Sequence, residues 1–417
     1  MSKNAKLNPV RGTQDLLPDE QRVHRHVEET AWRVAELYGF GEVSTPIFEF
    51  TDVFARTLGD TTDIVTKEMY TFEDRGGEGI TLRPEGTAGL ARAFISNGLT
   101  QELPLKLFYR GPMFRYERPQ KGRRRQFHQV GVELLGVAGV QADIEVIALG
   151  RHILDDLKLT GTVTLELNTL GDKESRDAYR QTLVTYLEEV KDKLSEDSLK
   201  RLNTNPLRIL DSKDDGDREI VAEAPSLMDS LNDESRTFFD ELCDGLSRIG
   251  IDFSHNDRLV RGLDYYCHTA FEFTTDDLGA QGTVLAGGRY DGLIGQMGGP
   301  ETPGIGWAAG VERLALMAGG VNEPTRPIAV IPIGEAAMNE ALMLTQRLRR
   351  KGFAVELGYS GNLGKRMKRA NKANARAAVI LGEDEMARNA GTVRDMDSGE
   401  QVEVSLDRLE DTLSAYR

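Results

Sequence analysis

The chain has 417 residues, and a chain of this length normally divides into roughly two to three domains. It carries 67 acidic and 52 basic residues, so a net charge of -15 argues against non-specific adhesion of the whole surface to nucleic acid or anionic membranes. Only 2 cysteines occur, too few for a disulfide scaffold or a four-cysteine zinc site. No run of about 18 apolar residues predicts a membrane-spanning helix. We therefore expect a cytosolic globular protein.

The first part of the chain predicts one helix followed by short strands. Apolar residues recur at near-helical spacing from Asp19 to Tyr38, and Gly39 follows as a stop signal. Many strands with few long helices between them predict an antiparallel sheet. The β-rich runs, separated by Gly and Pro, are residues 42–46, 68–72, 80–82, 107–109 and 130–135.

Further along, the pattern changes twice. From residue 172 to about 250 charges become dense and apolar residues recur at helical spacing, as at Tyr179, Leu183 and Leu187, which predicts an inserted helical domain. Strand-like and Gly-rich sequence then resumes and leads to a helix ending near Met317. A polar linker at 318–327 precedes alternating apolar runs and helical stretches, which predict a small α/β domain in the tail.

Two clusters in the first part combine charged and aromatic residues. In the first, an alternating strand is followed by a Pro, then Glu85, and then the start of a predicted helix. The Glu85 carboxylate is either held in place by these rigid elements or exposed to water at a turn. In the second, two predicted strands flank a loop with six cations and one acid between Arg115 and Arg125, which indicates polyanion binding. Alternation along the second strand predicts that one side carries Arg125, Phe127, Gln129, Gly131 and Glu133. The alternative is an exposed hairpin with scattered charges.

Two more clusters follow the helical insertion. Residues 259–266 read Leu-Val-Arg-Gly-Leu-Asp-Tyr-Tyr, in which Arg261 and Asp264 could equally form a structural ion pair and the tyrosines could be core. Residues 286–291 and 304–314 are rich in glycine. Trp307, Val311 and Leu314 are spaced as the buried stripe of a helix, which predicts that Arg313 points away from the buried side. The fingerprints of Walker ATPases and Rossmann dehydrogenases are absent.

The tail carries a stretch without acidic residues, from Gly361 to Arg376. Cations spaced four, three and four fall on one face of a helix. We call this the basic face, and the lack of acidic partners favours nucleic-acid binding over an ordinary solvated surface. Its members are Lys365, Arg369, Lys372 and Arg376.

Together these clusters resemble the histidyl-tRNA synthetases, which belong to the second class of aminoacyl-tRNA synthetases. The resemblance runs from Arg11-Gly-Thr-Gln-Asp15 to the tail. The segment around Pro46 is similar to the first class motif, which forms the dimer, residues 114–133 to the second and residues 304–313 to the third. Residues 261–266 and 286–291 resemble the two signatures peculiar to the histidine enzymes.

The resemblance implies an α+β fold with an antiparallel six-stranded catalytic sheet, a helical insertion and an α/β anticodon-binding domain, in a cytoplasmic homodimer without membrane contact. It implies ligation of L-histidine to histidine tRNA with ATP as substrate and Mg²⁺ as its companion, with the number and ligands of the metal ions unknown. The implied segments are residues 1–170 and 255–320 for the catalytic domain, 171–254 for the insertion and 327–417 for the anticodon-binding domain.

The implied roles fall on specific residues. Arg115 and Arg261 are the implied catalytic residues and clamp the α-phosphate, because a planar guanidinium can bind two oxygens at once. Glu133 and Tyr266 hold the two imidazole nitrogens. Phe127 stacks the adenine, and Arg313 holds the distal phosphates. The full implied histidine-binding set is Glu85, Gly86, Thr87, Arg115, Gln129, Glu133, Arg261, Tyr265, Tyr266 and Tyr290.

For tRNA, the resemblance places Gln120, Arg123 and Arg125 near the acceptor end, and Lys365, Arg369 and Lys372 near the anticodon side.

The sequence departs from the family pattern at two places. Tyr116 stands where a histidine is common, and Cys267-His268 replaces a small polar residue followed by a basic one. His268 could be read as a catalytic base, but a strand residue just after the signature is more typical of packing or surface.

Two other functions remain as alternatives. One is the non-catalytic relative of the family that regulates ATP phosphoribosyltransferase, although such relatives typically lack the tail and the arginine signatures. The other is a synthetase of the same class for threonine or proline, which the pair of Glu133 and Tyr266 disfavours.

Overall fold

A computed structural model describes residues 7–416 except 60, 61, 63, 121, 160, 213, 261, 262, 264, 280 and 281. The chain forms two compact units, Met1–Val321 and Asn322–Arg417. Among the described residues, no helix has both the length and the apolar character needed to cross a bilayer.

The first unit contains ten helices and eleven strands within the described residues. In chain order they are α1 Pro18–Leu37, β1 Gly41–Glu42, β2 Phe48–Phe50, α2 Thr51–Leu58, β3 Tyr70–Glu73, β4 Gly79–Leu82, α3 Thr87–Ser96, β5 Leu105–Phe114, β6 Gln126–Leu135, α4 Gln141–Asp156, β7 Thr164–Thr169, α5 Lys173–Glu189, α6 Glu196–Thr204, α7 Asp215–Ala222, α8 Asp233–Arg248, β8 Ser254–His255, β9 Cys267–Thr274, β10 Leu285–Arg289, α9 Leu293–Gln296, β11 Gly304–Gly310 and α10 Val311–Ala315.

The main sheet has eight strands in the order β1-β5-β6-β11-β10-β9-β7-β8. The six inner strands are all antiparallel, and the two-residue edge strands β1 and β8 add parallel pairs. This agrees with the antiparallel six-stranded sheet implied by the sequence. The two strands of the cation-rich segment, β5 and β6, form a hairpin that closes with Phe114 opposite Gln126.

Helices cover one face of this sheet and bury a continuous core. Side chains of α1 and α4, such as Val27, Val34 and Val146, are fully buried together with Trp307 of β11. The Trp307 indole Nε1 donates to the carbonyl of Val146 at 2.9 Å, so the buried ring keeps its polar atom paired. A second core forms where α2, α3 and α9 pack on strands β6 and β9.

The expectation that Trp307 belongs to a helical stripe is wrong. Residues 304–310 are extended and pair with β6 on one side and β10 on the other, so the helix begins only at Val311. Trp307, Val311 and Leu314 are nevertheless all buried, because the strand and the helix that follows it face the same core. The helical spacing of these three residues therefore arises by chance, because Trp307 belongs to the strand and the other two to the helix.

A three-stranded sheet, β2-β4-β3, lies beside the site. Its central residue Thr81 is fully buried, and its hydroxyl is 3.0 Å from that of Thr51 and 2.9 Å from that of Thr71. Large apolar side chains on this sheet and before it are exposed, namely Ile47, Phe48, Phe50 and Phe72. The small sheet thus presents an apolar surface.

The helical insertion packs α5 to α7 around a core of its own, whereas the buried side chains of α8, such as Phe239 and Leu242, belong to the core of the main sheet. Tyr179, Leu183 and Leu187 are fully buried, as their spacing predicts. Asp172 begins α5 by accepting the backbone N–H of Ser175 at 2.8 Å. Asp217 is buried in α7 and accepts from the hydroxyls of three serines, which ties α7 to the start of α6.

The second unit is an α/β domain. Within its described residues the elements are β12 Ile328–Pro332, α11 Ala336–Arg350, β13 Val355–Leu357, α12 Leu363–Lys372, β14 Ala377–Leu381, α13 Glu383–Ala387, β15 Ala390–Asp395, β16 Gln401–Ser405 and α14 Leu409–Leu413. Its five-stranded sheet has the order β13-β12-β14-β15-β16, parallel in the first three strands and antiparallel in the last three. Helix α12 carries the basic face up to Lys372, and Arg376 follows its end.

Candidate active site

A cavity of about 760 Å³ opens at the main sheet. Five parts of the chain contribute most of its lining: the start of α3, the hairpin β5–β6 with its loop, the insertion, the described residues of the segment 256–266, and β9 to β11 with the start of α10. The residues predicted from the sequence that line it are Glu85, Thr87, Arg115, Arg123, Phe127, Gln129, Glu133, Tyr265, Tyr266, Tyr290 and Arg313.

Glu133 lies at the bottom of the cavity and is 1 % exposed. Its carboxylate accepts a hydrogen bond from the hydroxyl of Thr87 at 2.7 Å and another from the phenol of Tyr290. Burial raises the pKa of Glu133 to about 8, against the opposing effect of these two donors. The cavity therefore contains a carboxyl group that gains or loses a proton close to neutral pH.

Glycines make room for this carboxylate. Gly306 of β11 lies directly opposite Glu133 in the strand register, and a Cβ there would overlap the Glu133 carboxylate. Gly86 and Gly131 flank the ring of Tyr109 in the same way, and a side chain at either would overlap that ring. The glycine-rich strands therefore serve close packing around the pocket.

Glu85 is 4 % exposed, so it is not the water-facing turn that the sequence left open. Its oxygens accept the backbone N–H groups of Thr87 at 2.7 Å and Ala88 at 2.9 Å, at the first turn of α3. Burial raises its pKa, and these hydrogen bonds oppose the rise. Glu85 thus caps the helix while lining the cavity.

Three tyrosines form one wall. The ring centroids of Tyr265 and Tyr266 are 4.5 Å apart, and those of Tyr265 and Tyr290 are 5.7 Å apart. Burial raises the pKa of Tyr265 and Tyr290 well above the usual value, so both phenols keep their protons as hydrogen-bond donors. Gln129 lies among these polar groups, and its Oε1 is buried without a hydrogen-bond partner among the described residues. A bound donor would satisfy it.

Cations line the rest of the cavity. The Arg115 Nε donates to the carbonyl of Pro84 at 2.8 Å, and its guanidinium carbon lies 5.3 Å from the ring centre of Phe127. Arg123 donates to Glu117 at 3.0 Å. Burial lowers the pKa of Arg313, and the neighbouring charge of Arg123 lowers it further. The arrangement concentrates positive charge beside an aromatic ring.

The hairpin loop differs from the expected alternation. The strand begins at Gln126, so Arg125 lies before it and does not share the side of Phe127, Gln129 and Glu133. The Arg125 guanidinium instead stacks on Tyr116 at 3.8 Å, while Arg124 joins the cavity lining. Gln120 pairs with Arg123 across the loop and is exposed outside the lining.

Some cavity residues had no signal in the sequence. The insertion contributes side chains from the region of α7, including Asp211, Ser212, Arg218 and Ala222. Their helical spacing marks a packed helix but does not reveal which distant strand the helix faces. Glu272 of β9 also lines the cavity, where alternation along the strand could have indicated it.

Other predicted residues lie elsewhere. Arg261 and its neighbours Gly262 and Asp264 fall outside the described residues. His268 is half-buried with a φ of 43°, and its ring packs on Phe238 of the insertion at 4.8 Å. It is not among the lining residues, which fits packing better than catalysis.

The comparisons with known proteins concern nearly the whole chain. Residues 12–314 match the family model described as Histidyl-tRNA synthetase, and residues 327–416 match the Anticodon binding domain. The chain is 65% identical over 414 residues to a histidine–tRNA ligase of Rhodospirillum rubrum, covering 99% of this chain and 100% of the relative. A histidine–tRNA ligase of Gluconacetobacter diazotrophicus is 58% identical, with 97% of each chain covered.

Among solved structures, the chain is similar to the apo histidyl-tRNA synthetase of S. aureus. The TM-score is 0.82 at 35% sequence identity, and the match covers 98% of this chain and 99% of the other.

Proposed function

The chain belongs to the histidyl-tRNA synthetase family, and from this premise we propose how its cavity carries out the reaction. It is a histidine–tRNA ligase that uses ATP. Histidine is first joined to AMP, with release of pyrophosphate, and the histidyl group then passes to the tRNA. The observation that supports our assignment of residues best is the buried carboxylate of Glu133 among hydrogen-bonding side chains.

Histidine binds, in our proposal, at the bottom of the cavity. Glu133 and Tyr266 hold the two imidazole nitrogens, and Tyr265 and Tyr290 complete the wall. The ammonium group lies against Glu85, Thr87 and Gln129, where it supplies the donor that the Gln129 Oε1 lacks. Gly86 allows this close approach. An amino acid whose side chain cannot form these hydrogen bonds would leave Glu133 and Tyr266 unpaired, which can lower its kcat/KM relative to histidine by roughly 10⁴-fold.

ATP binds beside the arginines. Phe127 stacks on the adenine, Arg115 and Arg261 contact the α-phosphate, and Arg313 contacts the distal phosphates. The carboxylate oxygen of histidine attacks the α-phosphorus and pyrophosphate leaves. Guanidinium groups fixed in advance, as Arg115 is by the Pro84 carbonyl, stabilise the charge that develops on the phosphoryl oxygens. Positioning and electrostatics, without a covalent enzyme intermediate, then supply the rate.

The dependence on ATP implies Mg²⁺. Oxygen donors suit this ion, and the carboxylates of Glu117 and Glu272 in the cavity lining offer them. Bound there, Mg²⁺ would neutralise part of the phosphate charge.

In the second step a ribose hydroxyl of the terminal tRNA adenosine attacks the adenylate carbonyl and AMP leaves. We propose that Gln120, Arg123 and Arg125 approach this end of the tRNA, and that Lys365, Arg369 and Lys372 approach the anticodon side. The exposed apolar side chains of the small sheet support a homodimer through that surface. The low cysteine count supports a cytoplasmic location.

The segment boundaries belong to the same proposal. Residues 1–170 and 255–320 form the catalytic domain, 171–254 the insertion and 327–417 the anticodon-binding domain. The regulatory alternative is not favoured, because the tail matches an anticodon-binding domain and the named relatives are ligases over the full chain.

The central experiment is ATP–pyrophosphate exchange measured with each of the twenty amino acids. We expect exchange with histidine alone. The Arg261→Ala variant should lower it by orders of magnitude with an unchanged melting curve, whereas Arg25→Ala, which removes an exposed arginine of α1, should not. Normal exchange in Arg261→Ala would remove Arg261 from the mechanism, and exchange with a different amino acid would overturn the assigned pocket.

A further inference from the structure

Glu312 connects the two elements that carry the proposed ATP contacts. It lies in α10 immediately before Arg313, and its side chain is 8 % exposed. Both carboxylate oxygens accept the backbone N–H of His128 in β6, at 3.1 and 2.9 Å. The His128 Nδ1 is a further 2.9 Å from Oε1. One carboxylate thus makes three contacts with a single residue of the facing strand.

His128 lies between two residues of the cavity. Phe127 and Gln129 line it, whereas His128 does not, as expected for alternation along a strand. A shift of the His128 backbone would therefore move Phe127, whereas Gln129 is paired with Gly111 of β5 and Gly310 of β11 and stays in place. On the other side, a shift of Glu312 would move Arg313.

Helix α1 packs against this contact. The ring of His24 is 7 % exposed and meets that of His128 edge to face, with centroids 5.9 Å apart. The hydrogen bond to Glu312 raises the pKa of His128, and burial lowers that of His24. Positive charge is thereby favoured on His128, next to the carboxylate, and disfavoured on its neighbour.

We propose that Glu312 and His128 are positioning residues that hold Phe127 and Arg313 in the geometry needed to bind ATP. The inference rests on the proposed ATP contacts and adds the pair that orients them. Glu312 also lines the cavity, but both of its oxygens are bound to His128, so neither residue touches the nucleotide in this account. Their loss changes ATP binding through Phe127 and Arg313, and leaves the histidine pocket around Glu133 in place.

A metal centre is the competing explanation. His24, His128 and Glu312 offer ligand atoms that all lie within 4.8 Å of one another. Both oxygens of Glu312 are, however, already engaged by His128, so hydrogen bonds account for these two members of the cluster without an ion.

The test compares the KM for ATP with the KM for histidine in the exchange reaction. Loss of the charge-assisted contacts should raise the KM for ATP about tenfold in Glu312→Ala and by less in His128→Ala, which keeps the backbone N–H of residue 128, with the KM for histidine within about twofold. The His128→Asn variant should recover most of the ATP affinity, because its amide can donate from nearly the position of Nδ1. His152→Ala, at a partly exposed histidine of α4, is the matched control.

Arg313→Ala separates this inference from the proposed function. If Arg313→Ala raises the KM for ATP and Glu312→Ala does not, the positioning role is wrong and the ATP site stands. If Arg313→Ala has no effect, the ATP site itself is wrong. Equal increases in both KM values, or no recovery in His128→Asn, would indicate a general structural role. One tightly bound divalent metal per chain that Glu312→Ala loses would establish a metal centre and overturn the proposal.

Discussion

Replacing Glu133 by glutamine tests whether burial controls the ionisation of the cavity carboxylate. Glutamine has nearly the same shape; its Oε1 can accept from one of the two hydroxyls of Thr87 and Tyr290, and its amide N–H can donate to the oxygen of the other. The substitution removes the ability to ionise and leaves the cavity otherwise filled. Wild type and variant should therefore differ in how their stability changes with pH.

The magnitude follows from the pKa of Glu133, which burial raises from 4.5 to about 8. A carboxyl with a raised pKa binds its proton more tightly in the folded chain, so wild type is stabilised at low pH and loses that stability as pH rises. Relative to the variant, the free energy of unfolding should fall by about 4 kcal/mol between about pH 5 and about pH 9. With an unfolding entropy of about 2.1 cal/mol/K per residue over the unit Met1–Val321, this corresponds to about 6 °C in Tm.

Differential scanning calorimetry of both proteins without ligands, over that pH range, measures the difference. We expect the two Tm curves to diverge as pH rises, with wild type falling faster and the divergence ending above about pH 8. Glu36→Gln, at an exposed carboxylate of α1, should follow wild type throughout. Parallel curves for Glu133→Gln and wild type would show that Glu133 does not change its ionisation in this range, and the argument from burial would be refuted.

Three further predictions concern other parts of the chain. Gly306→Ala should reduce histidine-dependent exchange by about 100-fold or more, because the added Cβ overlaps the Glu133 carboxylate. At Gly310 of the same strand an added Cβ meets only ordinary contacts, so Gly310→Ala should have a smaller effect, and equal effects of the two variants would contradict the argument. Asp143→Ala should destabilise the chain by about 3–5 kcal/mol in urea unfolding, because it removes the buried carboxylate of the fully buried Arg289 and leaves only the partly exposed Asp291 at 3.1 Å. A loss below about 1 kcal/mol would refute the importance of the buried pair. Three cations of the basic face should be neutralised together: Lys365, Arg369 and Lys372. The change should weaken tRNA binding and reduce the slope of log K against log salt concentration by about 2–3, while pyrophosphate exchange stays unchanged. Impaired exchange would give that helix another role.

Local patterns determined much of the secondary structure. The spacing of Tyr179, Leu183 and Leu187 predicted α5, and all three are buried in the core of the insertion. Alternation predicted that Phe127, Gln129 and Glu133 share one side of β6. These patterns succeed because helix and strand periodicity is set by the backbone within a few residues. They failed at Arg125, where the strand had not yet begun, and at Trp307, where two elements share one core.

The cavity could be predicted from the sequence in part, and the rest depends on tertiary contacts. The sequence alone determined which residue types were present, and their resemblance to a family indicated the chemistry. Only the tertiary structure decided that Glu133 is buried against Tyr290, 157 residues away along the chain, and that Glu312 holds His128 across 184 residues. A raised pKa depends on burial and on neighbours brought together by folding, and no local pattern contains either. Many residues that line the cavity were thus predicted from the sequence, whereas the lining from the insertion, the hydrogen-bond partners and the ionisation are properties of the fold.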